Sequence, residues 1–186
     1  DEVDQSLINR GINFDGSSIS GWCNINESDM LLKIDTETAF IDPFSAQPTI
    51  IVFCNVVDPI SNNNYDKDPR STAIKAEQYL IDSGIAYIAY FGPELEFFVF
   101  DDVQYKNAPN ESFFKIGYDE CPLQSSGNDQ MPNMGHRANF KEAYFASQPI
   151  DTISDMRSEM LSVLKEVGVK PILHHHEVAT GQHELS

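Results

Sequence analysis

Basic residues are scarce in this chain: 12 lysines and arginines stand against 29 acidic residues, a formal charge of −17. Nucleic acid is therefore excluded as a partner, because phosphate binding needs a basic face. No run of about 18 apolar residues occurs, so no membrane-spanning helix is expected. Only Cys23, Cys54 and Cys121 are present, far apart and without CxxC or CxxH spacing. That disfavours a zinc site and a disulfide framework and suits a reducing, cytoplasmic compartment. No signal sequence is visible, and the chain opens at Asp1 without a methionine. What remains is 186 residues, 41% hydrophobic and 11% aromatic, enough for one ordinary domain or a small domain with part of a larger one.

Carboxylates in two short apolar settings are the informative feature. The first is Gly92-Pro93-Glu94-Leu95-Glu96-Phe97-Phe98-Val99-Phe100. In a strand, the i, i+2 spacing sends Glu94 and Glu96 to one face and Leu95, Phe97 and Val99 to the other. Such a pair is either a solvated strand face or the lining of a cation site, because close buried carboxylates are costly without a cation between them. The second motif follows the apolar run from Val169 to Leu173 and reads His174-His175-His176-Glu177-Val178-Ala179-Thr180-Gly181-Gln182-His183-Glu184. His175 and Glu177 share one face of an extended chain, and a turn at Gly181 can return Glu184 to the same hollow. Together the motifs predict a site for Mg²⁺ or Mn²⁺, hard cations that take oxygen ligands, and two such cations suit phosphoryl chemistry.

Local patterns predict an α+β chain. Residues 1 to about 57 read as short strands and turns: Met30 to Ile34 and Thr38 to Ile41 around an Asp-Thr-Glu-Thr turn, then one long strand from Thr49 to Val57. The polar stretch after Asp58-Pro59 marks a boundary, giving domains at 1–61 and 66–186. Asp68 as N-cap and Pro69 at the first helical position predict a helix ending at Gly84, with Ala73, Ala76 and Leu80 on its apolar face. Buried strands are expected over Ile85 to Tyr90 and Phe97 to Phe100. Residues 101–150 show no sustained period and read as a long meander or loop. A second helix is expected from about Ser154 to Val167, closed by Gly168.

Further motifs carry a resemblance: Phe14-Asp15-Gly16-Ser17-Ser18-Ile19-Ser20-Gly21-Trp22, Ser28-Asp29-Met30, Ile41-Asp42-Pro43-Phe44, Tyr65-Asp66-Lys67-Asp68-Pro69-Arg70-Ser71 and Gly135-His136-Arg137. With the two carboxylate motifs, and in this order, they make the chain resemble type I glutamine synthetase of bacteria almost end to end. The resemblance implies the C-terminal part of a β-grasp domain followed by the opening portion of a catalytic domain with a curved antiparallel sheet. It implies ATP-dependent ligation of ammonia to glutamate through a γ-glutamyl phosphate, with ATP as co-substrate and self-association in a ring-shaped homo-oligomer, a dodecamer in the family. Glu96, Glu177 and Glu184 match ligands of the metal nearer glutamate, and Glu94 a ligand of the nucleotide-side metal. Asp15 matches a residue that binds ammonium in a neighbouring subunit's site, although Asp-Gly-Ser-Ser is also an ordinary capped turn. Tyr144 matches a tyrosine of the glutamate pocket. His175 and His176 are expected to shape the cavity or meet a phosphate.

The pattern departs from the family around Tyr144, where Glu142, Ala143, Ala146 and Gln148 replace glycines and prolines, and at Ile172, where an acidic residue is usual. Added side chains before Tyr144 are expected to crowd the pocket, and lost prolines to loosen the loop. The family's remaining nucleotide, arginine and metal contacts have no counterpart before Ser186. The chain is thus read as an internal or truncated fragment, inactive alone. Two other readings stay open: a γ-glutamyl-amine ligase of the same fold, and a non-catalytic relative or decayed gene product.

Overall fold

A computed structural model describes residues 4–25, 28–121 and 137–186. The chain forms two compact units, divided between Phe91 and Gly92. Gly135 and His136 of the Gly-His-Arg motif lie outside the described residues.

The first unit holds α1 (Gln5–Arg10), β1 (Ile12–Asp15), β2 (Asp29–Ile34), β3 (Phe40–Ile41), β4 (Ile50–Ile51), β5 (Cys54–Val57) and α2 (Pro69–Asp82). Strands β1, β2 and β5 make an antiparallel sheet in that order, with Phe14 opposite Met30 and Leu31 opposite Val57. Met30, Val56 and Val57 are its buried core. The short α1 went unforeseen; Asp4 caps it by accepting from the Leu7 N–H at 2.6 Å.

The single strand expected from Thr49 to Val57 is two strands. β4 pairs with β3 and β5 with β2, and the break falls at Phe53. There the Phe53 N–H donates to Thr38 Oγ1 at 2.9 Å, and its carbonyl accepts from the Asp35 N–H at 3.0 Å. A continuous β-branched run cannot reveal where a strand changes partners.

Helix α2 starts as its sequence predicts, with Pro69 at the first position and Asp68 as cap. Asp68 Oδ1 accepts from the Arg70 N–H at 3.0 Å, while Oδ2 accepts from the Val56 N–H at 3.0 Å and the Ser71 hydroxyl at 3.3 Å, tying the helix start to β5. Ile85 to Tyr90 form no strand: Ile85, Tyr87, Ile88 and Tyr90 are all exposed, and apolar composition alone supplied no pairing partner.

The second unit holds β6 (Leu95–Phe98), β7 (Asp102–Ala108), β8 (Glu111–Gly117), α3 (Ser154–Glu166), β9 (His174–His176) and β10 (Gln182–Leu185). β7 and β8 are a fully paired hairpin around Pro109-Asn110, which corrects the expectation of an irregular 101–150 segment. The Pro109-Asn110 turn pair, flanked by stretches containing Val103 and Tyr105 on one side and Phe113, Phe114 and Ile116 on the other, was the available signal. β6, β10 and β9 form an antiparallel sheet with β10 central, and α3 packs against β9.

Candidate metal centre

Register assembles the site. Glu184 on β10 stands opposite Glu96 on β6 and His175 on β9, so three polar side chains form one row across the sheet. Alternation adds Glu94, two residues before Glu96, and Glu177, two residues after His175, to that face. The turn expected at Gly181 is present: its φ is +69°, its carbonyl accepts from the Val99 N–H at 3.0 Å, and an added Cβ would lie 3.3 Å from the Val99 carbonyl oxygen.

Two overlapping ligand sets result, Glu94–Glu96–Glu184 and His175–Glu177–Glu184, each with its candidate ligand atoms within 4.8 Å of one another. Glu184 belongs to both. His175 Nε2 lies 3.5 Å from Glu184 Oε2, and His175 Nδ1 lies 3.6 Å from Glu177 Oε1. The Gln182 side-chain amide donates to Glu96 Oε2 at 2.6 Å, and the Val178 N–H to Glu177 Oε2 at 2.8 Å. Burial raises the Glu184 pKa; His175 opposes the rise, and the nearby Glu94 and Glu177 add to it. Carboxylates that crowd one another in this way fit a divalent cation of hard character: the oxygen donors are present in number, and a cation between them removes the repulsion.

Behind the sheet lies a buried ionic layer that the sequence did not reveal. Arg157 of α3, 1% exposed, donates through Nη1 and Nη2 to both Asp151 oxygens, at 2.9 and 2.5 Å. The same Nη1 meets His183 Nδ1 at 2.8 Å, and Nε donates to His174 Nδ1 at 3.2 Å. A guanidinium can only donate. Both imidazoles therefore accept at Nδ1 and carry their proton on Nε2, and the Nε2 of His174 faces the Ser158 hydroxyl at 3.1 Å. Burial pushes His183 down to about 4, with the charges of His176 and Arg157 adding to the fall.

His176 is the opposite case. Its Nε2 faces a Glu120 oxygen at 2.8 Å and its Nδ1 the Glu177 carbonyl at 2.6 Å, so both nitrogens donate and the ring is an imidazolium. Burial lowers its pKa, but the Glu120 bond and the Glu177 carbonyl outweigh that and raise it. Burial raises Glu120, yet His176 with the Thr152 N–H and hydroxyl brings it to about 2. In Arg157 the available signal was a charge on the Met156–Met160–Leu164 side of a predicted helix; Glu120 gave none.

Tyr144 stands beside the carboxylate face. Its ring meets His175 edge-on at 5.5 Å, while Phe145 stacks on the same imidazole at 4.2 Å. Ala143 is buried, and Lys141 and Phe145 take φ values of +59° and +55°, conformations in which glycine is ordinary. The Phe145 stack and its N–H bond to the His176 carbonyl at 3.0 Å hold that turn in place. Asp15 belongs to the first unit. It caps the Gly16–Ser18 turn, accepting from the Ser17 N–H at 2.9 Å and hydroxyl at 2.6 Å, and the hydroxyl first, then the N–H, lowers its pKa. The neighbouring Trp22 is held through its carbonyl by the Tyr65 hydroxyl at 2.5 Å and Lys67 Nζ at 2.6 Å.

Comparison with known proteins gives two family models. Residues 1–59 match the glutamine synthetase β-grasp domain, and residues 66–186 match the glutamine synthetase catalytic domain. The chain belongs to the glutamine synthetase family. It is 52% identical over 183 residues to a glutamine synthetase of Rhizobium meliloti (strain 1021) and 50% identical over 183 residues to one of Azospirillum brasilense. Each match covers 98% of this chain and 39% of the relative. Among solved structures it is similar to a Plasmodium falciparum glutamine synthetase, with a TM-score of 0.81 at 24% identity, over 99% of this chain and 36% of that one. The α+β architecture is thus a β-grasp domain followed by the start of the family's catalytic domain. No helix among the described residues is long and apolar enough to cross a membrane.

Proposed function

We propose that this sequence is part of a cytoplasmic ligase that joins ammonia to glutamate at the expense of ATP. A carboxylate resists nucleophilic attack because of its negative charge. Phosphorylation of the glutamate side chain by ATP gives a γ-glutamyl phosphate, and ammonia then displaces phosphate to leave glutamine. The observation that carries this reading is the row of Glu96, Glu184 and His175 across one sheet face, flanked by Glu94 and Glu177. Glu96, Glu177 and Glu184 would hold the Mg²⁺ or Mn²⁺ nearer glutamate, and Glu94 the one nearer the nucleotide. When bound, such cations offset phosphate charge and orient the transferred group.

Tyr144, beside His175, fits a wall of the glutamate pocket. Asp15, ionised and capping an exposed turn, fits an acceptor for ammonium at a neighbouring subunit's site, which requires an oligomer, a ring-shaped homo-oligomer in this reading. Residues 1–61 and 66–186 would be the two domain portions. Because the chain spans 39% of the relatives it matches, this activity is assigned to a polypeptide that includes the rest of the family's site, and the 186 residues alone are expected to be inactive.

The test is phosphate release by a protein of the relatives' length that contains this sequence. Glutamate, ATP, Mg²⁺ and ammonia should support turnover, and Glu96→Gln or Glu184→Gln should abolish it. Turnover with ethanolamine in place of ammonia would reassign the protein to γ-glutamyl-amine ligation. Retained activity in either variant at ordinary Mg²⁺ would remove that residue from the site. For Asp15, mixing Asp15→Ala subunits with Glu184→Gln subunits should restore part of the activity, and failure to do so would count against a shared site.

A further inference from the structure

We propose that Arg157 is a positioning residue of the carboxylate site, acting from behind the sheet by clamping β9 to β10; the proposal rests on the metal reading given above. The strands that carry the ligands are short. β9 is three residues long and lies at the sheet edge among the described residues, and β10 is four residues long. So few ladder bonds leave the relative tilt of two short strands weakly determined, while a cation that demands near-ideal octahedral geometry tolerates little error in the spacing of its oxygens.

A single planar guanidinium spans the two strands. Nε bonds His174 on β9, and Nη1 bonds His183 on β10. His174 immediately precedes His175 on one strand, and His183 immediately precedes Glu184 on the other. Any rotation of one strand against the other must stretch one of these bonds. The fork cannot swing to follow, because both Asp151 oxygens hold its far edge. Arg157, Asp151 and His183 are all buried, while His174 is half-buried at the rim of an adjoining cavity. The face that projects His175 and Glu177 is thereby set against the one that projects Glu184.

Stability alone does not call for this arrangement. Buried ion pairs replaced by apolar side chains of similar volume are often no less stable, whereas groups that orient metal ligands from outside typically change affinity 10–100-fold when altered. Arg157→Lys keeps the positive charge and can keep the Asp151 pair, but a point-like ammonium cannot reach both histidines in the plane of the fork.

The experiment is Mn²⁺ binding by the full chain, followed by electron paramagnetic resonance of the free ion, with circular dichroism at the same temperature to verify folding. Arg157→Lys should weaken binding by about tenfold or more. Val163→Ala, a truncation elsewhere on α3, should lower stability and leave Mn²⁺ affinity unchanged, which separates positioning from a general loss of stability. A folded Arg157→Lys chain that binds as tightly as the parent overturns the proposal. Should that variant not fold, His183→Asn and His183→Leu decide. The asparagine keeps an acceptor for Arg157 and should bind within about threefold of the parent, whereas the leucine should lose about tenfold; equal affinities overturn the clamp. If the parent shows no Mn²⁺ binding that Glu184→Gln removes, the metal reading and this inference fall together. If the parent binds and the clamp variants match it, the inference alone fails.

Discussion

Asp151→Asn is a near-isosteric change that removes one charge from a buried pair. Arg157 is 1% exposed and Asp151 4%, and the two are joined by two hydrogen bonds at 2.9 and 2.5 Å. Removing one partner of such a pair typically costs 3–5 kcal/mol, because the remaining charge stays buried without a counter-ion. The asparagine oxygen still accepts one N–H, which places the expected loss at about 3 kcal/mol, near the lower end of that range. For a urea slope of about 1–3 kcal/mol per molar, the midpoint of the second unit should fall by roughly 1–3 M. The single tryptophan, Trp22, lies in the first unit, so its fluorescence is the wrong probe. Hydrogen exchange of the α3 and β10 amides reports the transition directly. A loss under about 1 kcal/mol with an unchanged slope would refute the argument that the guanidinium depends on Asp151 for its charge balance.

Asp68→Ala should cost about 2–4 kcal/mol, as the lost cap of α2 and the unpaired buried Val56 N–H add together; denaturant unfolding of the first unit, probed at Trp22, checks it. The second unit should lose stability on acidification in two windows. The folded value of His183 lies below its ordinary 6.5, so its contribution is full above 6.5 and fades as pH falls towards about 4. Glu120 is depressed from 4.5 to about 2, so its share is lost between those values. His176 acts in the other direction: its raised value stabilises below 6.5 and the gain is lost as pH rises through the folded pKa. Thermal melts from pH 2 to 9 should therefore peak near neutrality, and a monotonic rise to pH 9 would contradict the imidazolium assigned to His176.

Much of the carboxylate face was legible because strand alternation is a local rule. Glu94 and Glu96 are two apart on β6, as are His175 and Glu177 across the end of β9, and Gly181 marked the turn that brings Glu184 back. The Asp68-Pro69 start of α2 was equally local. What pairs with what was not. Nothing in Thr49 to Val57 tells that its two halves join different sheets, and Ile85 to Tyr90 looked like a strand but pairs with none among the described residues. The ionic layer was hidden for the same reason: Glu120 and His176 are 56 residues apart, and only the fold brings them to 2.8 Å.

The most direct test is anomalous scattering from crystals of this chain soaked with Mn²⁺. Two peaks are expected on the front of the sheet, one among Glu96, Glu177 and Glu184 and one at Glu94, and the first is lost in Glu184→Gln. Ordered protein with no peak on that face, or peaks that persist unchanged in Glu184→Gln, would contradict the assignment of these carboxylates to a metal centre.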